Sequence, residues 1–179
     1  LKPKLSKELE KRRHVKLMHD VEMPLMKVLA AMEYEGVRID EKALAIMSQD
    51  LKKESEKVQK EIYKIAGAEF NIGSPKQLGE ILFDKLKLAD LPSGQAGKTK
   101  KTKTGQYATG EEVLQKLAAD HPIAKKILDY REYEKLRSTY VDALPRLISK
   151  RDGRVHTDYR QAVAATGRLS SNNPNLQNI

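Results

Sequence analysis

Residues 40–67, DEKALAIMSQDLKKESEKVQKEIYKIAG, decide the fold of this 179-residue chain. Apolar side chains recur along this stretch, mostly at seven-residue steps; they are Leu44, Met47, Leu51, Val58, Ile62 and Ile65. Lysines and glutamates occupy most of the other positions, so the pattern predicts one long helix with a narrow apolar stripe. A stripe this narrow suits an antiparallel partner helix. We therefore predict an arm of paired helices whose stem is buried on one side.

The residues at both ends of this stretch are typical of helix termini. Asp40 is placed to act as the N-cap, with Ile39 and Leu44 as a hydrophobic staple across the first turn. The helix is expected to end near Ala66 and Gly67, because glycine readily adopts the left-handed conformation that follows many helices.

A second apolar stripe, upstream of the arm, predicts a helix over residues 6–34. Pro24 should kink or split that helix, since proline lacks an N–H and its ring crowds the carbonyl of Asp20. Gly36 is placed to end the helix.

Two capping boxes predict the starts of further helices. In SPKQ, which begins at Ser74, the serine can accept from the N–H of Gln77, whose side chain can reach back to the N–H of Ser74. Pro75 suits the first helical position, where no donor is needed. The sequence TGEE, which begins at Thr109, repeats this arrangement for a helix through Leu117.

The last part of the chain changes from helix to strand. A long helix is predicted over residues 123–148, with a bend near Pro145. A turn at Gly153 follows, and residues 155–164 are rich in β-forming side chains. Residues 165–179, ATGRLSSNNPNLQNI, contain almost no apolar side chains, so their polar atoms must meet turns, water or a ligand.

The chain is basic: 34 Lys and Arg residues stand against 25 Asp and Glu, a net charge of +9. Such an excess favours a polyanionic partner such as nucleic acid. The alternative is that the charge only forms a solvated surface.

The absence of cysteine excludes disulfides and thiolate metal sites and fits a reducing cytoplasm. The longest apolar run, residues 28–32, is far too short to span a bilayer, and no signal peptide is visible. Because the chain begins with Leu1 and ends on an apolar residue, we expect it to be a piece of a longer protein.

Two groups of side chains in the arm could bind a phosphate backbone. The helix start at Ser74, with Asn71 and Lys76 beside it, combines unpaired N–H groups with a cation; the alternative is an ordinary capped helix. The loop over residues 91–107 is predicted to be mobile and basic, and its lysines could follow phosphates without reading bases; the alternative is a solvated loop. These lysines are Lys98, Lys100, Lys101 and Lys103.

Two further candidates lie later in the chain. Arg131 and Lys135 share one helical face and could reach a phosphate or a groove edge, or simply face solvent. Arg168 follows Gly167 and begins a set of donors suited to minor-groove acceptors, which occur on every base pair. The rest of that set is Ser170, Ser171, Asn175, Gln177 and Asn178. A phosphate-loop site at Gly167 is rejected, because no second glycine has the required spacing and no lysine follows.

Catalytic and metal sites are not indicated by the sequence. Metal-assisted phosphoryl transfer needs convergent carboxylates, whereas most acids here lie on lysine-rich helices and Asp158 stands alone in a predicted strand. The four histidines show no metal-ligand spacing. This chain is therefore predicted to carry no catalytic residues, metal site or cofactor of its own.

Several stretches resemble family A DNA polymerases, the bacterial DNA polymerase I type. They are VEMP with LAAMEYEGVRID, FNIGSPKQLGEILFDKL, KTKTGQYAT with EEVL, ILDYREYEKLRSTYVDALPRLI, and RVHTDYRQAVAATGRLSSNNPNLQNI. The resemblance extends over essentially residues 17–179. The resemblance implies a mainly α fold, with an antiparallel helical hairpin as the thumb and a small β segment at the C-terminal end. It divides the chain into a helix leading into the polymerase region (1–35), the thumb with its basic tip loop (36–150) and the truncated first strands of the palm (151–179).

The resemblance also implies roles for the candidate residues. Those expected to touch the duplex backbone are Asn71, Ser74 and Lys76, and those expected to face primer–template are Arg131 and Lys135. Arg168 would hydrogen-bond in the minor groove at the primer terminus. The adjacent duplex would be lined by Asn175, Gln177 and Asn178.

The implied parent is a DNA-directed DNA polymerase, a nucleotidyltransferase of DNA replication and repair in the bacterial cytoplasm, associated with the nucleoid. It would be a monomer without a membrane segment, and Mg²⁺ and deoxynucleoside triphosphates would be bound only by the full-length protein. This chain would bind primer–template duplex DNA and would be inactive alone, since it lacks the family's metal-binding aspartates. Two alternatives remain open: a non-enzymatic basic DNA-binding module, or a helical-hairpin interaction protein.

Overall fold

The computed structural model of this protein describes residues 1–88 and 105–177. The described residues form two compact units, one within residues 42–142 and the other within residues 1–41 and 143–177. Helices account for most of the described residues, and the sheet found among them has two short strands. This architecture confirms the predicted mainly α fold with a small β segment.

The long predicted helix, α4, spans Glu41–Ala66. It begins directly after Asp40 and ends before Gly67, whose φ of +62° is the left-handed conformation that follows many helices. Both ends therefore agree with the prediction. On its outer faces, lysines pair with acidic side chains three or four residues away, as Lys57 does with Glu54 at 3.7 Å. Such exposed pairs stabilise a helix only weakly.

The buried face of α4 differs from the predicted seven-residue stripe. Its buried side chains are Ser55, Val58, Ile62 and Ala66. Met47 and Ile65, by contrast, are 52% and 42% exposed. Ile65 was wrongly assigned to the stripe, because residues seven apart drift by about 20° per heptad around a straight helix. The assignment of Met47, which lies between two members of the seven-residue series, was also wrong. The packed face over residues 55–66 instead follows steps of three and four residues.

α4 pairs with an antiparallel helix, α7, which spans Pro122–Leu136 and continues as a π-helical turn over Arg137–Val141. Three side-chain contacts join them: Ser48 with Asp142, Ser55 with Glu134, and Glu61 with Lys126. The partner numbers fall as the numbers along α4 rise, which is the order that antiparallel helices produce. The predicted helical hairpin is thereby confirmed.

The predicted helix over residues 123–148 is continuous only in part. It begins at Pro122 and changes from α to π geometry at Arg137. Pro145 lies in a separate 3₁₀ helix, Leu144–Leu147. The chain therefore departs from α-helical geometry before the proline rather than at it. Pro145 itself lies in the first turn of the 3₁₀ helix, where a hydrogen-bond donor is not needed.

The core of the 42–142 unit lies between α4, α7 and two shorter helical segments. α5 spans Pro75–Gly79 and runs into a π-helical turn over Glu80–Lys85, while α6 spans Glu111–Ala118 and packs against α7. Fully buried aliphatic side chains join these elements; they are Ile62, Ile72, Leu78, Leu82, Leu114 and Ile127. Removal of this apolar area from water is the main force that holds the unit together.

The other unit begins with four helical segments: α1 (Lys2–Lys11), α2 (Val15–Leu17), a π-helical turn (Met18–Glu22) and α3 (Met23–Glu35). The prediction of one helix over residues 6–34 was wrong at Arg13, whose φ of +59° ends the first segment. Pro24 is the second residue of α3 and directly follows the π-helical turn, so the predicted interruption of the helix takes the form of a change from π to α geometry. α3 ends at Gly36, as predicted, with a φ of +64°.

The C-terminal part of this unit forms a short β-hairpin. β1 spans Asp158–Arg160 and pairs antiparallel with β2, Ser170–Asn172, so that Tyr159 lies opposite Ser171. The predicted β-rich stretch over residues 155–164 therefore contains one strand, and its partner comes from the polar tail. Tail residues form this strand because pairing with β1 satisfies their backbone groups.

Val155 connects this hairpin to the rest of its unit. Its side chain is fully buried, and its backbone forms isolated β-bridges with Val37 and Ile148. The predicted turn at Gly153 is present, with a φ of +69°. Among the helices of residues 1–88 and 105–177, none has the length and apolar character needed to cross a membrane.

Candidate nucleic-acid interface

The loop before α5 is organised by side-chain hydrogen bonds to its own backbone. Ser74 Oγ accepts from the N–H of Gln77 at 3.5 Å, as predicted. The reciprocal bond was wrongly assigned: Gln77 Oε1 accepts from the N–H of Asn71 at 2.7 Å, while the N–H of Ser74 donates to the carbonyl of Asn71. The glutamine reaches three residues further because the Ser74 N–H is already used within the turn.

This arrangement leaves two donors of the predicted phosphate site facing solvent. Asn71 Oδ1 accepts from the N–H of Gly73 at 2.9 Å, which fixes the orientation of the amide, and within residues 1–88 and 105–177 its NH₂ group makes no hydrogen bond. Both Asn71 and Lys76 are exposed, and Ser74 is half-buried. The three predicted residues therefore form one local group at the start of α5.

The second predicted capping box is not formed. The N-cap of α6 is Gly110, without a side-chain cap bond, whereas Thr109 is buried. The carbonyl of Thr109 accepts a hydrogen bond from Arg131 Nη1 at 2.7 Å. The threonine was therefore assigned the wrong role, because a contact with α7 positions this residue more strongly than local capping does.

Arg131 and Lys135 lie in different environments although they are four residues apart on α7. Arg131 is half-buried, and its desolvation lowers the pKa of the guanidinium. Lys135 is exposed in the last turn of the helix. The structure thus places Lys135 toward solvent and Arg131 against the backbone at residue 109.

Replacing Arg131 with alanine should lower the free energy of unfolding by about 2 kcal/mol, because the buried Thr109 carbonyl loses a charged donor. Lys135→Ala, one turn away on the same helix, is the matched control and should change it by less than about 0.5 kcal/mol. Urea unfolding of the chain, followed by circular dichroism, measures both. Equal small changes would show that water replaces the guanidinium, leaving Arg131 available to an external ligand.

Arg168 extends from the segment that joins β1 to β2. It is exposed and, within residues 1–88 and 105–177, makes no hydrogen bond or ion pair. The preceding Gly167 has a φ of +75°, a conformation that glycine adopts without strain. The backbone therefore presents the guanidinium to solvent beside β2.

The polar tail after Arg168 largely satisfies its own hydrogen-bonding groups. Gln177 Nε2 donates to the carbonyl of Leu169 at 2.8 Å, and Asn175 Oδ1 accepts from the N–H of Gln177 at 3.0 Å. Ser171 is buried, and its Oγ accepts from the N–H of Leu176 at 2.9 Å. The side chains of Asn175 and Gln177 therefore shape the loop that follows β2.

The family of this chain is identified from its sequence. Residues 41–179 match the family described as DNA polymerase family A. The chain belongs to this family. The match includes the α4–α7 hairpin, the loop before α5, and the β1–β2 hairpin that carries Arg168, so it confirms the resemblance seen in the sequence.

Named relatives of family A agree with this assignment. DNA polymerase I of Synechocystis sp. is 51% identical over 180 residues, covering all of this chain and 18% of that protein. DNA polymerase I of Geobacillus stearothermophilus is 47% identical, covering all of this chain and 19% of that protein. The chain thus spans about a fifth of the length of these relatives.

A solved family A structure has the same fold. The POL domain of Pol1 from M. smegmatis, in complex with DNA primer–template and dNTP, superposes with a TM-score of 0.80 at 38% sequence identity. The match covers 98% of this chain and 29% of that one. The helical hairpin and the β-hairpin are therefore parts of a known polymerase fold.

Some predicted site residues lie outside the described residues. They are Lys98, Lys100, Lys101 and Lys103 of the tip loop, and Asn178 of the tail.

Within the described part of the chain, no three His, Cys, Asp or Glu side chains come close enough together to hold a metal ion. Asp158, singled out in the sequence as a lone acid, accepts from Asn173 Nδ2 at 3.1 Å.

A polar cluster at the end of α3 was not predicted from the sequence. Glu33 Oε1 accepts from the N–H of Tyr159 at 2.6 Å, and the carbonyl of Glu33 lies 2.7 Å from His156 Nδ1. No local pattern indicates these contacts, because 123 residues separate the histidine from the glutamate. The one available signal was His156 itself, which has a polar ring in a predicted β segment.

Proposed function

We propose that this chain is the part of a DNA-directed DNA polymerase I that grips primer–template duplex DNA through backbone and minor-groove contacts. The longer protein would carry out template-directed nucleotidyl transfer in DNA replication and repair. The observation that supports this most directly is the shared fold with a polymerase domain solved with primer–template and dNTP, over 98% of this chain. Family membership over residues 41–179 supports the same function.

The exposed donors have the chemistry that duplex DNA requires. Lys76 and Lys135 are exposed cations on the helical unit and suit phosphate oxygens. Arg168, in the other unit, has a free planar fork of donors that suits minor-groove acceptors. The net charge of +9 favours association with a polyanion. In this proposal Arg131 supports Lys135 by fixing the backbone beside α6.

The proposed division of the chain follows the family pattern. Residues 36–150 would be the thumb, residues 1–35 the helix that leads into the polymerase region, and residues 151–179 the first strands of the palm. The compact unit of residues 42–142 lies inside the proposed thumb. Asn175 and Gln177, by shaping the loop after β2, would line the duplex next to Arg168.

Nucleotidyl transfer would need residues from elsewhere in the longer polypeptide. Two-metal chemistry requires carboxylates that converge on the ions, and the described residues contain no such group. They therefore do not fit Mg²⁺, and we assign the metal and the deoxynucleoside triphosphate to other parts of the protein. This chain alone should bind duplex DNA without extending a primer. We further propose a monomer in the bacterial cytoplasm, associated with the nucleoid.

A fluorescence-anisotropy titration of the chain with labelled primer–template duplex tests the binding function. Affinity should fall steeply with salt, because each lysine–phosphate contact makes the slope of log association constant against log salt concentration more negative by about 0.9. Lys135→Ala should reduce that slope by about 1. Lys116→Ala is the control, since Lys116 is already paired with Glu112 at 2.7 Å.

The two alternatives predict different outcomes. Absent or salt-independent binding by a folded sample would favour a helical-hairpin interaction protein. Salt-dependent binding by the chain, together with a longer polypeptide that cannot extend a primer, would favour a non-enzymatic DNA-binding module. Primer extension by the longer polypeptide would support the polymerase.

A further inference from the structure

The C-terminal end of α3 holds the segment that leads into β1. The backbones of Val37 and Val155 exchange two hydrogen bonds, of 2.8 and 2.9 Å. The carboxylate of Glu33 accepts from the N–H of Tyr159, the central residue of β1. Arg154 Nη1 donates to the carbonyl of Glu35 at 3.1 Å. The hairpin that carries Arg168 is therefore attached to α3 along its first strand.

His156 lies at the centre of this attachment and faces an acceptor on each side. Nδ1 is 2.7 Å from the carbonyl oxygen of Glu33, and Nε2 is 3.1 Å from the nearer carboxylate oxygen of Asp152. A carbonyl and a carboxylate can only accept hydrogen bonds. The neutral ring has one N–H, so only the protonated ring can donate to both partners.

The charged groups around the ring favour the proton. Arg151 pairs with Asp152 at 2.9 Å, which keeps the pKa of that carboxyl well below its usual range. Arg151 Nη2 is also 3.5 Å from Nε2 and opposes the charge of the ring. The hydrogen bond to Glu33 and the contact with Asp152 outweigh this repulsion and raise the pKa of His156. The Glu35 carboxylate is engaged by Arg154 at 3.2 Å.

We infer that Glu33, Asp152 and His156 form a proton-dependent latch that positions the β1–β2 hairpin and its Arg168. The connection runs through Thr157, next to His156, whose Oγ1 donates toward the carbonyls of Asn172 and Pro174 at 2.9 and 2.6 Å. The protonated ring thus holds both strands through one short segment. The consequence for DNA rests on the function proposed above.

The direction of the pH dependence follows from the raised pKa of His156. Its stabilising contribution is fully present below the pKa of an unfolded histidine, about 6.5. It is lost as the pH rises through the higher pKa of the folded state. The hairpin should therefore be held most firmly in mildly acidic solution and should loosen on the alkaline side of that pKa.

NMR titration of the histidine rings in the full 179-residue chain tests the latch. His156 should titrate at a higher pH in the folded chain than in the same chain unfolded in urea, because its pKa is raised by its partners in the folded state. Hydrogen exchange of the Tyr159 amide, corrected for its intrinsic pH dependence, should accelerate with the same midpoint. Identical His156 midpoints in the folded and unfolded chain would overturn the inference. So would hydrogen exchange at Tyr159 that does not change as His156 titrates.

Two variants separate the latch from a merely structural contact. Asp152→Asn should lower the His156 midpoint toward its value in the unfolded chain, because a partner that raises the pKa of His156 is lost, and should remove the pH dependence of Tyr159 exchange. Glu10→Gln removes a similar charge from the exposed surface of α1 and should leave both readouts as in the wild type. An unchanged His156 midpoint in Asp152→Asn would contradict the assigned contact. If that variant does not fold, the wild-type titration decides alone.

The DNA consequence is measured separately by anisotropy. Duplex affinity at fixed salt should fall as the pH passes the His156 midpoint, and His156→Gln should abolish that fall. Absence of duplex binding at every pH, with the NMR behaviour intact, would contradict the proposed function and leave the latch supported. Duplex binding without the predicted NMR behaviour would contradict the latch and leave the proposed function supported.

Discussion

Replacing Ile62 with alanine should lower the free energy of unfolding of this chain by about 2–5 kcal/mol. The side chain is fully buried on the face of α4 that packs into the core, together with Leu78 and Ile127. Truncation removes apolar area from the core and leaves a cavity that rigid helices can close only in part. Urea unfolding monitored by circular dichroism at the helix band measures the loss.

The same helix provides a matched control. Ile46 is 62% exposed, so Ile46→Ala removes the same atoms from a solvated position. Both substitutions gain the small helix-propensity advantage of alanine, so the difference between them isolates burial. Ile46→Ala should change stability by less than about 0.5 kcal/mol. Equal losses at the two positions would show that the packed face of α4 has been wrongly identified.

Much of the helical framework could be predicted because its signals are local. Asp40 directly precedes α4 and Gly67 directly follows it. Both ends depend on the conformational preferences of a few adjacent residues. Gly36 ends α3 for the same reason. The antiparallel hairpin followed from the narrow stripe on a long helix, although that stripe only approximates the buried face.

Features set by distant contacts could not be predicted. Thr109 was predicted to cap α6, but its carbonyl instead accepts a hydrogen bond from Arg131, 22 residues away. β2 lies in a tail with almost no apolar residues and exists because β1 supplies its partner. The cluster around His156 joins segments more than a hundred residues apart. In each case tertiary contacts outweigh local preference, which a pattern of neighbouring residues does not report.

For the candidate interface, the residues could be proposed from the sequence, but the contacts that position them could not. Chemical type singled out Lys76, Lys135 and Arg168 as candidates, and the family resemblance implied their roles on DNA. All three are exposed. Their roles on DNA stay predictions, and the salt dependence of duplex binding tests them together. What the sequence could not show is how the backbone around Arg168 is held, since that depends on α3.

Gly36→Ala should lower the free energy of unfolding by about 3 kcal/mol, through two effects at one residue. Gly36 has a φ of +64° and a ψ of −177°, a region that other residues rarely adopt. A β-carbon there would lie 2.8 Å from the His156 ring and 2.9 Å from the Val155 carbonyl. That carbonyl already accepts from the N–H of Val37 at 2.8 Å, so it cannot move away without breaking the bridge.

Gly153→Ala separates the steric clash from the backbone strain. Gly153 has a similar φ of +69°, but no atom lies within 4 Å of its added β-carbon. Only the left-handed penalty of about 1 kcal/mol applies there. A larger loss at Gly36, together with a displaced His156 titration, would show that α3 approaches the hairpin too closely for any side chain. If Gly36→Ala cost no more than Gly153→Ala, the close contact between α3 and His156 would be wrong, and the latch built on it would lose its geometric basis.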